Sequence, residues 1–429
     1  ALGDNEAIRN LATQVRERGC TFRADVAAGT AVDCDDEENA DNPMCLSGAD
    51  LNAIQYREAL AVFERAQRDT NTASQRTLFE QSATMLLRAV NENPEDPQAP
   101  IALEYAARAL ELTARYESAG TLYQRILDEV GPRRSTNAAE QTRLDAIVSN
   151  AYFRLAFNAQ RFFDFPRALE SYRTIAESPR FASSQDPAIR TRRVDALVNT
   201  AVLLQQLNDP RASEYYRRVY DTVEDATTKR NALFQIAMIA LNARSYADAL
   251  RAFRDFITRY GSDSTAGELV VEAYWHISEI RRAQNDTRNL TTALQDVVSA
   301  FDRSRQPAGS MAAEYAANAR FLLVDASFAA YEGLTITVAA PSTGAGLVAA
   351  LQAAIGGANT RTTSIATGYE PIVGYRRPQW TIAAFVRQGR AYEVLRGAVR
   401  AMTVPLPPDI QRAMRSLPQE DRELMEQEF

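Results

Sequence analysis

The chain has 429 residues, 46% hydrophobic and 24% charged, and its 48 Lys+Arg against 55 Asp+Glu give a net charge of −7. That length buries a large core without staples, and the acidic balance does not suggest a nucleic-acid binder. His276 is the one histidine and Lys229 the one lysine, so His-based catalysis, multi-His metal sites and a Gly-Lys-Ser/Thr phosphate loop lack their raw material.

The opening residues Ala-Leu-Gly-Asp-Asn-Glu do not form a signal peptide. If the protein is exported, its signal is absent from this sequence. A first helix is expected over 1–18, then a Gly/Asp/Asn-rich loop insertion over 19–48 that holds all three cysteines, Cys20, Cys34 and Cys45. Zinc is disfavoured, because the spacing is not that of a zinc site and no His is near. One disulfide with a thiol left over is the preferred reading, and three reduced thiols the alternative. A bond that includes Cys20 is favoured because it would hold the first helix. A disulfide would imply an oxidising compartment such as the periplasm. The acidic run Asp33–Glu38 lacks the Gly and Glu of an EF-hand, since those loop positions are Glu38 and Met44; it reads as a solvated loop.

From 49 to 332 apolar residues recur at helical spacing, with Gly and Pro between the runs. One pattern returns, aromatic-x-x-Ala-x-x-x-aromatic: Tyr56-Ala59-Phe63, Tyr116-Ala119-Tyr123, Phe165-Ala168-Tyr172 and Tyr246-Ala249-Phe253. Ala212-Tyr216 keeps its last two positions, and Leu290-Leu294 is a degraded copy. Twelve residues before the Ala stand Ala107, Ala156 and Ala237. These residues resemble the tetratricopeptide repeat. That resemblance implies pairs of antiparallel helices, in which the small residue of helix A and the Ala of helix B meet at a close crossing and the aromatic fills the groove beyond. From Ala119 the Ala positions are 49, 44, 37 and 41 residues apart (168, 212, 249, 290), longer than the usual ~34. Helix pairs are expected near 98–130, 137–179, 187–223, 226–260 and 265–303, in an all-α, right-handed solenoid. His276 reads as a hydrogen-bonded packing residue.

Residues 333–367 read as a flexible Gly/Ala/Thr-rich connector. Leu334–Ala339 is the best strand signal, and Gly344-Ala345-Gly346-Leu347-Val348-Ala349 fits a lone G-x-G-x-x-A without the second βαβ unit that a dinucleotide site needs. Helical repeats are expected again over 368–429. Ile382, Phe385 and Tyr392 fall on one stripe after Pro378, with Trp380 off it, and all four read as packing residues.

The order of Tyr331-Glu332-Gly333, Tyr369–Tyr375, Pro378-Gln379-Trp380-Thr381-Ile382-Ala383-Ala384, Arg387-Gln388-Gly389, Tyr392-Glu393 and Val404–Pro408 resembles long repeat proteins of myxobacteria and deltaproteobacteria, some tied to gliding-motility machinery. It implies a periplasmic or outer-envelope scaffold. Such relatives continue past the proline break, which leaves open that the given sequence is one part of a longer chain. They usually carry lysines before the Tyr369 equivalent; this chain has none there.

No catalytic, cofactor-binding or metal-ligating residue is assigned, and no cofactor is expected. The expected function is non-enzymatic: a scaffold binding other proteins, among them envelope components, with Arg190, Arg192 and Arg193 able to grip carboxylates. The alternatives are a structural subunit assembling laterally through its solenoid faces into a larger complex, and, third, an enzyme using the 334–370 segment. No transmembrane segment is expected.

Overall fold

The computed structural model describes residues 48–428. The helix expected over 1–18 and Cys20, Cys34 and Cys45 lie outside the described residues. The described residues hold helices and no strand. The chain divides into two units, at Glu224 and Asp225.

In the first unit the helices are α1 (Gly48–Arg68), α2 (Thr72–Glu92), α3 (Ala99–Leu112), α4 (Tyr116–Glu129), α5 (Ala138–Arg161), α6 (Phe165–Glu177), the single turn α7 (Pro179–Ala182), α8 (Pro187–Gln206) and α9 (Ala212–Thr222). The second unit holds α10 (Ala226–Asn242), α11 (Tyr246–Tyr260), α12 (Gly267–Ala283), α13 (Thr287–Ser304), α14 (Met311–Tyr331), α15 (Gly344–Tyr369), α16 (Pro378–Arg400), α17 (Pro408–Arg415) and α18 (Gln419–Glu428). Within each unit successive helices pack as pairs, and pair packs on pair. This is an all-α solenoid of antiparallel helix pairs, and the pairs from α3 to α13 fall where the repeat pattern places them.

Local chemistry sets the helix ends. Asn71, Asn137, Asp186, Asp225 and Ser310 accept from backbone N–H groups one turn in, satisfying donors that the helix itself cannot. Five turns between paired helices close identically. The N–H of Arg115, Asp164, Asp209, Ser245 and Asp286 reaches back five residues to the carbonyl of Leu110, Ala159, Leu204, Ala240 and Arg281, at 2.8–2.9 Å. The residue before each donor is left-handed: Ala114, Phe163, Asn208, Arg244 and Asn285, with φ of 54–63°. That is the Schellman closure, which usually employs glycine.

Within each pair the crossing is tight because its residues are small. Ala107 with Ala119, Ala156 with Ala168 and Ala237 with Ala249 are all 0% exposed. Ala59 and Ala212 are as deeply buried, and Phe63, Tyr123, Tyr172, Tyr216 and Phe253 fill the grooves beside them. Phe63, for example, meets Phe79 and Tyr105 edge-on, both at 5.1 Å between centroids. Each such ring contributes about 1.5–3 kcal/mol by leaving water. Thr200 and Ser278 occupy the small-residue position of the remaining pairs and are buried. The spacing of alanines alone does not reveal them. Their hydroxyls bond their own helices, at Ala196 O and Trp275 O (both 2.7 Å), so neither needs a partner across the crossing.

The segment expected as a flexible connector is largely the 26-residue helix α15. Its Gly and Ala content hides the helical period, yet Thr343 caps it and Asp409 accepts from the Gly344 N–H at 2.8 Å. Residues 334–339 form no strand; Ile336 and Val338 nevertheless turn inward. The stripe Ile382, Phe385 and Tyr392 does not pack as expected. It is 62%, 57% and 51% exposed. The opposite face of α16, Ala384 and Ala391, buries instead, because small residues let the helix approach α14 closely enough for Tyr331 to donate to Ala391 O at 2.8 Å. Trp380 is half-buried, donating Nε1–H to Glu314 at 2.7 Å.

Candidate functional site

In the first unit the first helices of three successive pairs carry facing charges. Glu104 on α3 accepts from the Asn150 amide of α5. Arg154, one turn further along α5, reaches back to Glu111 at 3.4 Å. Asn150, Phe153 and Arg154 then line a shallow cavity of about 420 Å3 with Thr191, Arg192 and Asp195 of α8. Burial pushes the Glu104 carboxyl above its ordinary range, although Asn150 and the guanidiniums of Arg192, Arg108 and Arg154 oppose the shift. Burial likewise raises Asp195, against the pull of Arg192. Partly desolvated charges of both signs suit a polar polypeptide better than an apolar small molecule, because a mismatched partner leaves them unpaired.

The three arginines expected to grip carboxylates do not form one row. Arg192 donates to Ala146 O and Ser149 Oγ at 3.3 and 2.8 Å, and Arg193 donates to Ala176 O at 3.3 Å. Both are half-buried braces between helices. Arg190 is exposed. The sequence marks this stretch as basic but not which guanidiniums the fold itself consumes.

A second feature of this unit was not legible in the sequence. At the turn between α5 and α6, Phe162 and Phe163 stand in water, 63% and 79% exposed, with Phe157 at 40%. Arg161 lies over the Tyr116 ring at 4.2 Å.

In the second unit His276 stacks on Phe253 at 5.5 Å, as a packing histidine does. Its Nδ1 lies 2.8 Å from Glu279 Oε2 and its Nε2 3.5 Å from Glu272 Oε1. Burial opposes the charge, but the two carboxylates override it, and the pKa rises to about 9. The ring is an imidazolium at neutral pH, which does not suit a general base. Among the described residues no group of acidic, His or Cys side chains is arranged to hold a metal ion. No described helix is long and apolar enough to cross a membrane.

Residues 231–262, most of α10 and all of α11, match the tetratricopeptide-repeat family. Among curated proteins none matches the sequence. Solved structures that resemble the chain include the apo form of RapI, at 11% identity over 91% of this chain and 98% of that one with a TM-score of 0.40. A tetratricopeptide-repeat protein from Parabacteroides merdae is similar at 12% identity over 79% and 99%, with a TM-score of 0.33. The TPR2AB domain of yeast Sti1, in its pHSP90 complex, is similar at 13% over 63% and 99%, with a TM-score of 0.25. At these scores the likenesses carry no argument. The helix pairs, with their repeated crossings and turns, make an all-α solenoid like that of tetratricopeptide-repeat proteins.

Proposed function

We infer that this protein is a non-catalytic scaffold that binds segments of other proteins. The carrying observation is the face of α3, α5 and α8, where Glu104, Arg154 and Asp195 present charges of both signs around the shallow cavity that Arg192 braces. Repeat solenoids bind along such extended faces, each repeat adding a strip of contact. The C-terminal sequence resemblance supports a place in a cell-envelope assembly of the gliding-motility kind, in the periplasm or at the outer envelope. The clustering of Cys20, Cys34 and Cys45 supports the same compartment.

Photo-crosslinking from an unnatural residue at Asp195 in the native cell, with mass spectrometry of the adducts, tests the reading. Discrete protein adducts lost on Arg154→Glu are expected; only solvent-quenched product would defeat it. Thiol counting on protein purified without reductant addresses the compartment, and three free thiols would count against export.

The exposed stripe of Ile382, Phe385 and Tyr392 on α16 favours a second reading, lateral assembly through a solenoid face. Sedimentation of Phe385→Ser against wild type decides it.

A further inference from the structure

Between α4 and the C-terminal half of α5 runs a cleft of about 760 Å3. It is open because Gly120 and Ala159 stand in its walls. Asn158 lines its floor, 4% exposed, and neither the nitrogen nor the oxygen of its amide has a partner. An amide offers one donor face and one acceptor face, the complement of the C=O and N–H of a peptide main chain.

The rim is aromatic. Tyr116 and Phe162 line it, their rings edge-on at 6.4 Å. Phe163 stands between Phe162 and Asp164, both cleft residues, and rests against Phe165 at 6.1 Å. Its φ of 60° is the left-handed region, where a bulky side chain is strained. The fold asks only for a Schellman closure here, which glycine satisfies better. An exposed phenylalanine held in a strained turn points to a use outside the fold.

The lining also has a sign. Its carboxylates are Glu117, Asp128, Glu129 and Asp164, against Arg125 and Arg167. Arg125 is engaged by Glu129 at 2.7 Å and by Asn91 at 3.0 Å; Asp128 and Glu117 stand exposed, Asp128 accepting from the neutral Gln124 amide at 3.0 Å.

We propose that this cleft and its aromatic rim take an extended segment of a partner protein in which an apolar side chain is flanked by basic residues. The inference rests on the protein-binding reading and assigns it a second, separate site. The apolar side chain enters against Gly120, Tyr116 and Phe162, Asn158 pairs with the segment's main chain, and Glu117 and Asp128 meet the flanking positive charges.

Fluorescence polarisation on the full chain tests it with three labelled ten-residue peptides: Leu flanked by Arg, the same with Glu for Arg, and the same with Ser for Leu. The Arg/Leu peptide is expected to bind at least about tenfold more tightly than either control. Glu117→Lys with Asp128→Lys should reverse the preference to the Glu peptide. Phe163→Gly should weaken binding by roughly threefold or more while raising the melting temperature, a pairing that misfolding cannot produce. Arg251→Ala, an exposed change in the second unit, should leave peptide binding unchanged. Equal affinity for the Arg and Glu peptides, or for the Leu and Ser peptides, overturns the proposal, as does an affinity unmoved by both cleft variants. If none of the three peptides binds, the cleft assignment alone falls; the broader scaffold reading stands or falls on crosslinking from Asp195.

Discussion

The hydroxyls of Tyr331 and Thr362 lie 2.7 Å apart, both buried. Tyr331 also donates to Ala391 O, so one phenol ties α14, α15 and α16 together. Tyr331→Phe removes that tie and leaves the Ala391 carbonyl without this donor. It should cost about 1–2 kcal/mol in urea unfolding. Thr362→Val should cost less than that alone and little more when added to Tyr331→Phe. Full additivity of the two would show that the hydroxyls act independently.

The alanines at the crossings set the distance between paired helices. Ala168→Leu or Ala249→Leu should overpack its crossing and cost roughly 1–3 kcal/mol. Thr200→Ala, at the equivalent site of another pair, should be nearly neutral, because its hydroxyl bonds only its own helix. Thermal melts showing the leucine variants as stable as wild type would refute the close-crossing account.

Arg244 sits in the left-handed region with φ of 56° at the turn between α10 and α11. Arg244→Gly relieves the steric cost of the Cβ there and adds some backbone freedom to the unfolded chain. Relief should exceed the entropy, giving a net stabilisation of about 0.5–1 kcal/mol. A lower melting temperature would mean that the Arg244 side chain contributes more than its backbone costs.

His276 couples stability to pH. Its pKa is about 9 in the fold and near 6.5 in the unfolded chain, so the native state binds its proton more tightly. The stabilisation is fully present below pH 6.5 and is lost as pH rises through 9, amounting to roughly 3 kcal/mol at most. The groups facing the ring are Glu272, Glu279 and Tyr315, whose hydroxyl bonds Glu272; burial first and then Glu272 hold Tyr315 near 12, beyond this window. His276→Gln should flatten the decline between pH 6.5 and 9. Parallel profiles for variant and wild type would exclude the imidazole as its source.

The helix pairs could be read from the sequence because their signal is local. A small residue and an aromatic at fixed spacing, such as Ala168 and Tyr172, report both the period and the crossing. Helix α15 could not, because Gly and Ala carry no apolar stripe and one of its cap partners, Asp409, is 65 residues away. The exposure of Ile382 and Phe385 was hidden for a related reason: a stripe shows that a helix has an apolar face, not that a neighbour covers it. Arg192 and Arg193 carry the charge to grip carboxylates, but their acceptors, two main-chain carbonyls and the Ser149 hydroxyl, lie on other helices, and such pairings leave no mark in the sequence. The aromatic cleft depends on what α5 lacks at Ala159 and α4 lacks at Gly120, and a missing side chain is hard to see without a partner helix beside it.

The five turns between paired helices are closed by main-chain hydrogen bonds, from Arg115 to Leu110 through Asp286 to Arg281. Side chains join in only at particular turns, as where Arg281 reaches Asp286 at 3.1 Å and the Thr113 hydroxyl donates to Leu110 O at 2.9 Å. Ala, Phe, Asn and Arg all occupy the same left-handed position, at a modest energetic cost to each. The turns are therefore an edge on which residues can be exchanged one at a time while the scaffold behind them keeps its shape. A chain built this way can acquire a new recognition surface by single substitutions, or lose one, without passing through an unfolded intermediate sequence.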